Sequence, residues 1–306
     1  MSYDWQRQTE KVICYYESTA KDYKLFWIGL EDLAVHFGYY DQSVKSHRES
    51  LLKMNEMLAR YANITSKDNV LDAGCGYGGS AIWLAKHIGC RVAGITLVSS
   101  QVQQAKRYAE KHSVSESVHF TQMDYTHTSF PDSSFDVIWA LESIVHTASK
   151  QAFIREAHRL LSTGGRLLIG EYMLREHPPL SQAEKDTFSP WLEGWAMPSL
   201  LIVGEYRRPL GDGGFTIVQI HDVIENVRRS VNRLGKLQLP TLPTAQVFAA
   251  IARGLCVLKL FRQERLKNIE AGICQNKTLR AGQWMYIVLL AEKIDREELA
   301  SVVLQK

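Results

Sequence analysis

Apolar and polar positions along the middle of the chain spell strand, helix, strand, helix. Residues 69–71 run apolar into Asp72, a helix is expected from residue 80 to about 87, and residues 91–96 form a second strand. Ser100 and Gln103 read as a capping box for the next helix, with Gln101 on its first turn. Strands follow at residues 118–122, 135–140 and 166–171. Before the last of these, a helix carries Phe153, Ile154, Ala157, Leu160 and Leu161 at helical spacing, and Ser162-Thr163-Gly164-Gly165 stops it. Such alternation predicts a parallel sheet covered on both faces.

The flanks read differently. Residues 3–40 crowd together Tyr15, Tyr16, Tyr23, Phe26, Trp27, Phe37, Tyr39 and Tyr40, with Asp22 and His36 among the rings. This is the composition of a helical lid over a binding cavity. Residues 46–61 predict a helix with Leu51, Met54 and Leu58 on one face. Beyond Tyr172 the rhythm breaks. Pro178, Pro179, Pro190, Trp191, Trp195 and Pro198 suggest an irregular apolar cap. Residues 213–220 read as a sixth strand and residues 222–280 as helices, one with a stripe of Val247, Phe248, Ile251, Leu255 and Leu258. Residues 284–292 are a final strand too apolar for a sheet edge.

Composition narrows the classes. The 306 residues are 45% hydrophobic and 23% charged, with a net charge of +3. That balance is ordinary for a globular protein and too weak to predict nucleic acid or an anionic membrane as partner. Five cysteines, Cys14, Cys75, Cys90, Cys256 and Cys274, show no paired spacing, which fits a reducing, cytoplasmic setting and no metal. The N-terminal stretch is polar, unlike a signal peptide. No apolar run approaches the ~18 residues of a transmembrane helix.

The chemistry concentrates at Val70-Leu71-Asp72-Ala73-Gly74-Cys75-Gly76-Tyr77-Gly78-Gly79. Glycines there permit a sharp turn and close approach of a ligand, beside the unpaired N–H groups of a helix start. Gly74, Gly76 and Gly79 also satisfy the dinucleotide pattern. Two features oppose that reading. Asp72 would repel a pyrophosphate but suits an ammonium or sulfonium. No Asp or Glu falls between Asp72 and Glu110, where a dinucleotide site wants an acid for the ribose. S-adenosylmethionine (SAM), with an amine, a ribose and no phosphate, fits better.

Ligands of open α/β sheets sit outside the strand carboxyl ends. Along that edge Asp72 and the glycines face the methionine part of such a ligand. Thr96 and Gln101 are candidates for the ribose hydroxyls. Asp124 is expected to accept from the adenine amine, with Tyr125 against the ring. After the fourth strand come Glu142 and His146, four apart, which share a face if the segment is helical. Glu171, ending the fifth strand, is either another carboxylate near the pocket or a solvated surface residue.

These motifs resemble the class I SAM-dependent methyltransferases, and within them the sterol side-chain and tocopherol methyltransferases and related natural-product enzymes. The likeness rests on Y-Y-E-S-T-A-K-D-Y-K-L-F-W (15–27), H-F-G-Y-Y-D (36–41), the glycine loop (70–79), G-I-T-L (94–97) with Gln101, M-D-Y (123–125) and W-A-L-E-S-I-V-H (139–146). It implies an α/β fold: a Rossmann-like seven-stranded methyltransferase sheet with an N-terminal helical lid and an inserted helical cap. The expected division is a lid over 1–62, a SAM-binding core over 63–177, a cap with strand six over 178–281, and a final strand and tail over 282–306. It implies SAM binding through Asp72, Gly74, Gly76, Thr96, Leu97, Gln101, Asp124 and Tyr125. It implies a substrate pocket using Tyr23, His36, Glu142 and His146, a lipophilic small-molecule acceptor, and room for a homodimer. The chain departs from the pattern in lacking an acid after strand two and in a longer spacing from Trp27 to His36. Methylation at the carbon of an isoprenoid-derived molecule, methylation at oxygen or nitrogen of a sugar or alkaloid-like product, and a non-catalytic SAM-fold binding protein all stay open.

Overall fold

The computed structural model describes residues 3–23, 33–234, 245–257 and 261–294. Its seven strands are β1 (Asn69–Ala73), β2 (Arg91–Thr96), β3 (Val118–Gln122), β4 (Phe135–Leu141), β5 (Leu161–Leu174), β6 (Phe215–Asp222) and β7 (Trp284–Lys293). They form one sheet in the order β3-β2-β1-β4-β5-β7-β6. β1 to β5 run parallel, and β7 is antiparallel to both neighbours. The order reverses between β1 and β4, so a crevice opens at their carboxyl ends. Final strand β7 is interior, as its apolar sequence predicts, and β6 is an edge.

The helices in chain order are α1 (Tyr3–Asp22), α2 (His47–Tyr61), α3 (Gly79–His87), α4 (Ser99–Lys111), α5 (Lys150–Leu160), α6 (Gln182–Asp186), α7 (Ser189–Gly194), α8 (Gly204–Asp212), α9 (Ile224–Leu234), α10 (Ala245–Val257) and α11 (Gln263–Arg280). Apolar residues of alternate strand positions feed two cores, one on each face. Val70, Val92, Val137 and Leu168 belong to one, and Leu71, Ile95, Ile138 and Ile169 to the other. That is the two-sided burial a parallel sheet demands. α2 starts on a complete capping box, Ser46 with Glu49, and buries Leu51, Met54 and Leu58 as expected.

Four local expectations are corrected. α4 begins on Val98 with no side-chain cap, so Ser100 and Gln103 form no capping box. The Val98 N–H instead donates to Thr96 Oγ1 at 3.3 Å, which moves the helix start forward. β5 is longer than residues 166–171. Leu161 already pairs with Phe135, and Tyr172–Leu174 find antiparallel partners on β7. In α10, Val247 and Ile251 face solvent, while Ala249 and Ala252 pack with Leu266 of α11. Small side chains let the two helices lie close, and Val247 and Ile251 are left outside. Glu142 and His146 do not share an α-helix. Glu142 adopts a left-handed backbone (φ 49°), and Ile144–His146 form one 3₁₀ turn. Leu258, the Phe248 side chain, Phe26 and Trp27 lie outside the described residues.

Candidate functional site

A cavity of about 580 Å³ opens at the carboxyl ends of β1, β2 and β4. Every residue expected at the site lines it: Tyr23, His36, Asp72, Gly74, Gly76, Thr96, Leu97, Gln101, Asp124, Tyr125, Glu142 and His146. α1, the 33–37 segment and α11 close it from above, so lid, sheet and cap all contribute walls.

The sheet side is built for close approach. The Gly74 and Cys75 N–H groups both donate to Ile95 O at 2.9 Å, folding the glycine loop onto the end of β2. Gly74 has φ 93°, and a Cβ there would come within 2.4 Å of Ser143 Cβ. Only glycine meets both constraints. Asp72 is buried, and its Oδ2 has no hydrogen-bond partner. Burial raises its pKa to about 7, with the Ala81 backbone N–H pulling the other way. Thr96 Oγ1 donates to Gln101 Oε1 at 2.7 Å, which fixes the amide and leaves its buried Nε2 donor unpartnered. Ser143 Oγ is likewise buried and unpartnered. Buried polar groups left unpaired cost about 1–3 kcal/mol each. A carboxylate oxygen, an amide donor and a hydroxyl waiting beside a glycine cradle fit a ligand with an ammonium and hydroxyls, as SAM has.

Asp124 and Tyr125 carry structural duties too. Asp124 Oδ1 accepts from the Thr126 N–H (2.7 Å) and Thr126 Oγ1 (2.6 Å), which closes a local turn. The Tyr125 hydroxyl donates to Ser143 O at 2.9 Å, and its ring meets Phe153 edge-on at 5.4 Å. Leu97 offers main chain, and its carbonyl accepts from Gln122 Nε2 at 2.9 Å.

The opposite side is aromatic and largely self-satisfied. Glu142 Oε1 accepts from the Phe37 N–H and from the Tyr286 hydroxyl, both at 2.7 Å. The residue surface that stays accessible is cavity wall, while the carboxyl lies deep. Burial raises that carboxyl to about 8, against the lowering pull of those two bonds. The left-handed backbone at Glu142 costs about 1–3 kcal/mol, a strain that aims the side chain inward. Tyr16 and His146 Nε2 share a hydrogen bond at 3.0 Å, and Tyr15 and Tyr23 hydroxyls share one at 2.7 Å. Tyr16 and Tyr23 stack at 6.3 Å. Burial lowers His146 to about 4, with the Ala196 carbonyl working the other way. His36 is also lowered to about 4 by burial, its Nδ1 held by Phe37 O at 2.8 Å. His36 Nε2 and Trp195 Nε1 remain as buried polar atoms without partners.

Glu171 is neither pocket wall nor solvated surface. It is fully buried beneath the turn that carries Glu142 and His146, and its Oε2 accepts from the Val145 N–H at 3.1 Å. Lys150 braces the same turn, donating to Val145 O (3.3 Å) and Thr147 O (3.0 Å). Sequence reading also missed Gln8, Tyr16, Ser143 and Tyr286 as parts of the site. Ser143 sits inside the E-S-x-x-H motif and was legible there. Tyr286 is 144 positions from Glu142 and left no local signal.

Comparison with known proteins gives the same architecture a family. Residues 71–169 match the methyltransferase domain model. The chain is 32% identical over 196 residues to 27-O-demethylrifamycin SV methyltransferase of Amycolatopsis mediterranei (strain S699), covering 64% of this chain and 71% of that protein. The chain belongs to the SAM-dependent methyltransferases. This methyltransferase is also 30% identical over 218 residues to a sterol 24-C-methyltransferase of Eremothecium gossypii, covering 71% of this chain but 57% of that enzyme. Among solved structures, geranyl diphosphate methyltransferase in complex with GPP and sinefungin superposes with a TM-score of 0.76 at 18% identity, covering 94% of this chain and all of that one. At that identity the match speaks for the fold alone. The cofactor of this methyltransferase is SAM. Among the described residues no helix is long and apolar enough to cross a membrane.

Proposed function

We propose that the enzyme methylates a lipophilic, isoprenoid-derived small molecule at carbon. The observation that carries this reading is the state of Glu142. Its Oε1 is already occupied by Phe37 and Tyr286, in a cavity whose lid side is lined mainly by Tyr15, Tyr16, Tyr23, Tyr172 and Trp195, with Gln8, Arg233, Arg265 and Asn268 among the other wall residues. Such a wall favours an apolar acceptor, with His36 Nε2 and Trp195 Nε1 as the polar handles left for it. Bound SAM supplies an electrophilic methyl group on a sulfonium. Asp72 Oδ2 would hold its ammonium, Gln101 and Thr96 its ribose, and Gly74, Gly76 and Leu97 would offer backbone at close range. Asp124 and Tyr125 would border the adenine.

The chain's own work is to orient the acceptor and exclude water, worth up to ~7–11 kcal/mol. An alkene acceptor that gains a methyl carries a positive charge. The faces of Tyr16 and Tyr23 stabilise it by ~2 kcal/mol when desolvated. Ionised Glu142 then takes the proton whose loss restores the double bond. His146 Nε2, neutral and bonded to Tyr16, favours a second reading in which a hydroxyl or amine acceptor gives up its proton to that ring. The test is to incubate the enzyme with labelled SAM and an extract of isoprenoids and polar natural products. Label on a carbon of an apolar product is expected. Label on oxygen or nitrogen transfers the assignment to the second reading.

A further inference from the structure

The turn that carries His146 is held by side chains from three elements. From β5, Glu171 Oε2 accepts from the Val145 N–H at 3.1 Å. From α5, Lys150 Nζ donates to Val145 O at 3.3 Å and to Thr147 O at 3.0 Å. From α1, Gln8 Nε2 donates to His146 O at 3.0 Å and to Ala196 O at 2.7 Å. The carbonyls of residues 145, 146 and 147 are thus each taken by a side chain. The His146 ring then meets Tyr16, Nε2 to hydroxyl at 3.0 Å and edge-on at 5.5 Å.

Lys150 is the costly member of this set. It is the first residue of α5, and it is only 9% exposed. A helix start favours anions, and burial strips an ammonium of its hydration. The helix itself needs nothing from it, because Ser149 already caps the Ala152 N–H at 3.1 Å. What the long stem supplies is reach, since one ammonium spans both carbonyls that flank His146. Burial lowers Lys150 to about 8, while Glu171 beneath the turn pulls it up.

We propose that Lys150 is a positioning residue for methyl transfer and acts through His146. Its ammonium fixes the turn so that the ring stands against Tyr16 in the cavity wall, and its charge opposes a proton on that ring. Around the ring lie Tyr15 and Tyr16 of α1, the carbonyls of Trp195 and Ala196, and Lys150. The two carbonyls favour a proton there, and Lys150 disfavours it. Glu171 lies on the other side of the turn and engages its backbone. His146 lines the cavity and Lys150 does not, so this role holds whichever atom of the acceptor is methylated.

The test follows the His146 ring by nitrogen NMR in the full chain, labelled in histidine and saturated with S-adenosylhomocysteine. Its signal is the one lost in His146→Gln. Lys150→Met keeps the stem but removes the donors and the charge, and Lys150→Arg keeps both. In Lys150→Met the ring is expected to titrate at higher pH than in the intact chain and to lose its preference for one tautomer. Lys150→Arg is expected to hold the titration low. Turnover of an acceptor found with labelled SAM should fall ~10²-fold in Lys150→Met, the cost of a small misplacement, with KM for SAM changed far less. Lys150→Gln carries the same expectations where Lys150→Met does not fold. A ring that titrates and partitions its tautomers alike in the intact chain and the folded neutral variant overturns the proposal, even if turnover falls. So does a titration in Lys150→Arg as high as in Lys150→Met. The ring measurement uses no acceptor, so its failure is separate from failure of the acceptor reading.

Discussion

The two walls of the main cavity hold different kinds of polar atom. On the sheet side Asp72 Oδ2, Gln101 Nε2 and Ser143 Oγ are buried and left without partners. On the lid and cap side Glu142, Tyr15, Tyr16 and Tyr23 are hydrogen-bonded to backbone or to neighbouring side chains, and the unpartnered atoms there are ring nitrogens, His36 Nε2, His146 Nδ1 and Trp195 Nε1. Unpaired buried groups raise the free energy of the empty protein and repay it on binding. The sheet wall is therefore specific for one polar ligand. The aromatic wall rejects bulk water and selects by shape, which tolerates variation in the acceptor. Within one family, the first wall is where sequences should resemble each other and the second where they should diverge.

The largest effect expected is from Glu142→Gln. If this carboxylate takes the proton, kcat falls ~10²–10⁴-fold while affinity for S-adenosylhomocysteine holds. Weakened cofactor binding with normal turnover would erase the distinction between the walls. Asp72→Asn is expected to do the reverse, weakening S-adenosylhomocysteine ~10–100-fold by calorimetry, as loss of a charged hydrogen bond requires. Tyr286→Phe is subtler. It removes one bond that lowers the Glu142 pKa, so the rising limb of kcat against pH moves to higher pH, at a stability cost of about 1 kcal/mol. An unmoved limb assigns the proton transfer to another group. The smallest effect is on the pH dependence of thermal unfolding. Asp72 and Glu142 hold protons in the folded state, to about 7 and about 8, that the unfolded chain releases near the ordinary carboxylate range. Their contribution is present at low pH and is lost as pH rises through those values. Melting temperature should fall as pH rises from about 5 to about 8, and less steeply in Asp72→Asn, where one of the two groups no longer titrates.

How much of this was legible follows from range. β2 and β3 match their expected bounds residue for residue, β2 as a mostly apolar run and β3 as an alternation of apolar Val118 and Phe120 with polar His119 and Thr121. The glycine loop was legible because it is local chemistry in ten residues. The capping box at Ser100 and Gln103 was misread because Thr96 holds Gln101 from the preceding strand, a contact that no helix pattern contains. Glu142 and His146 line one cavity, but the helical condition under which they would share a face is not met. The four-residue spacing does not reveal a backbone forced into the left-handed region by Gly170 O, Phe37 and Tyr286. Glu171 looked like a strand-end acid, and only the turn packed over it shows why it is buried.

One carboxylate oxygen joins two distant parts of the chain. Phe37 comes from the first tenth or so of the sequence and Tyr286 from strand β7 near the other end, and both donate to Glu142 Oε1. A ribosome releases these partners far apart in time. The glycine loop and β1 to β4 can assemble early, but the acid at the centre of the pocket stays unclamped until β7 slides between β5 and β6. That clamp on Glu142 exists only once β7 lies in place between β5 and β6.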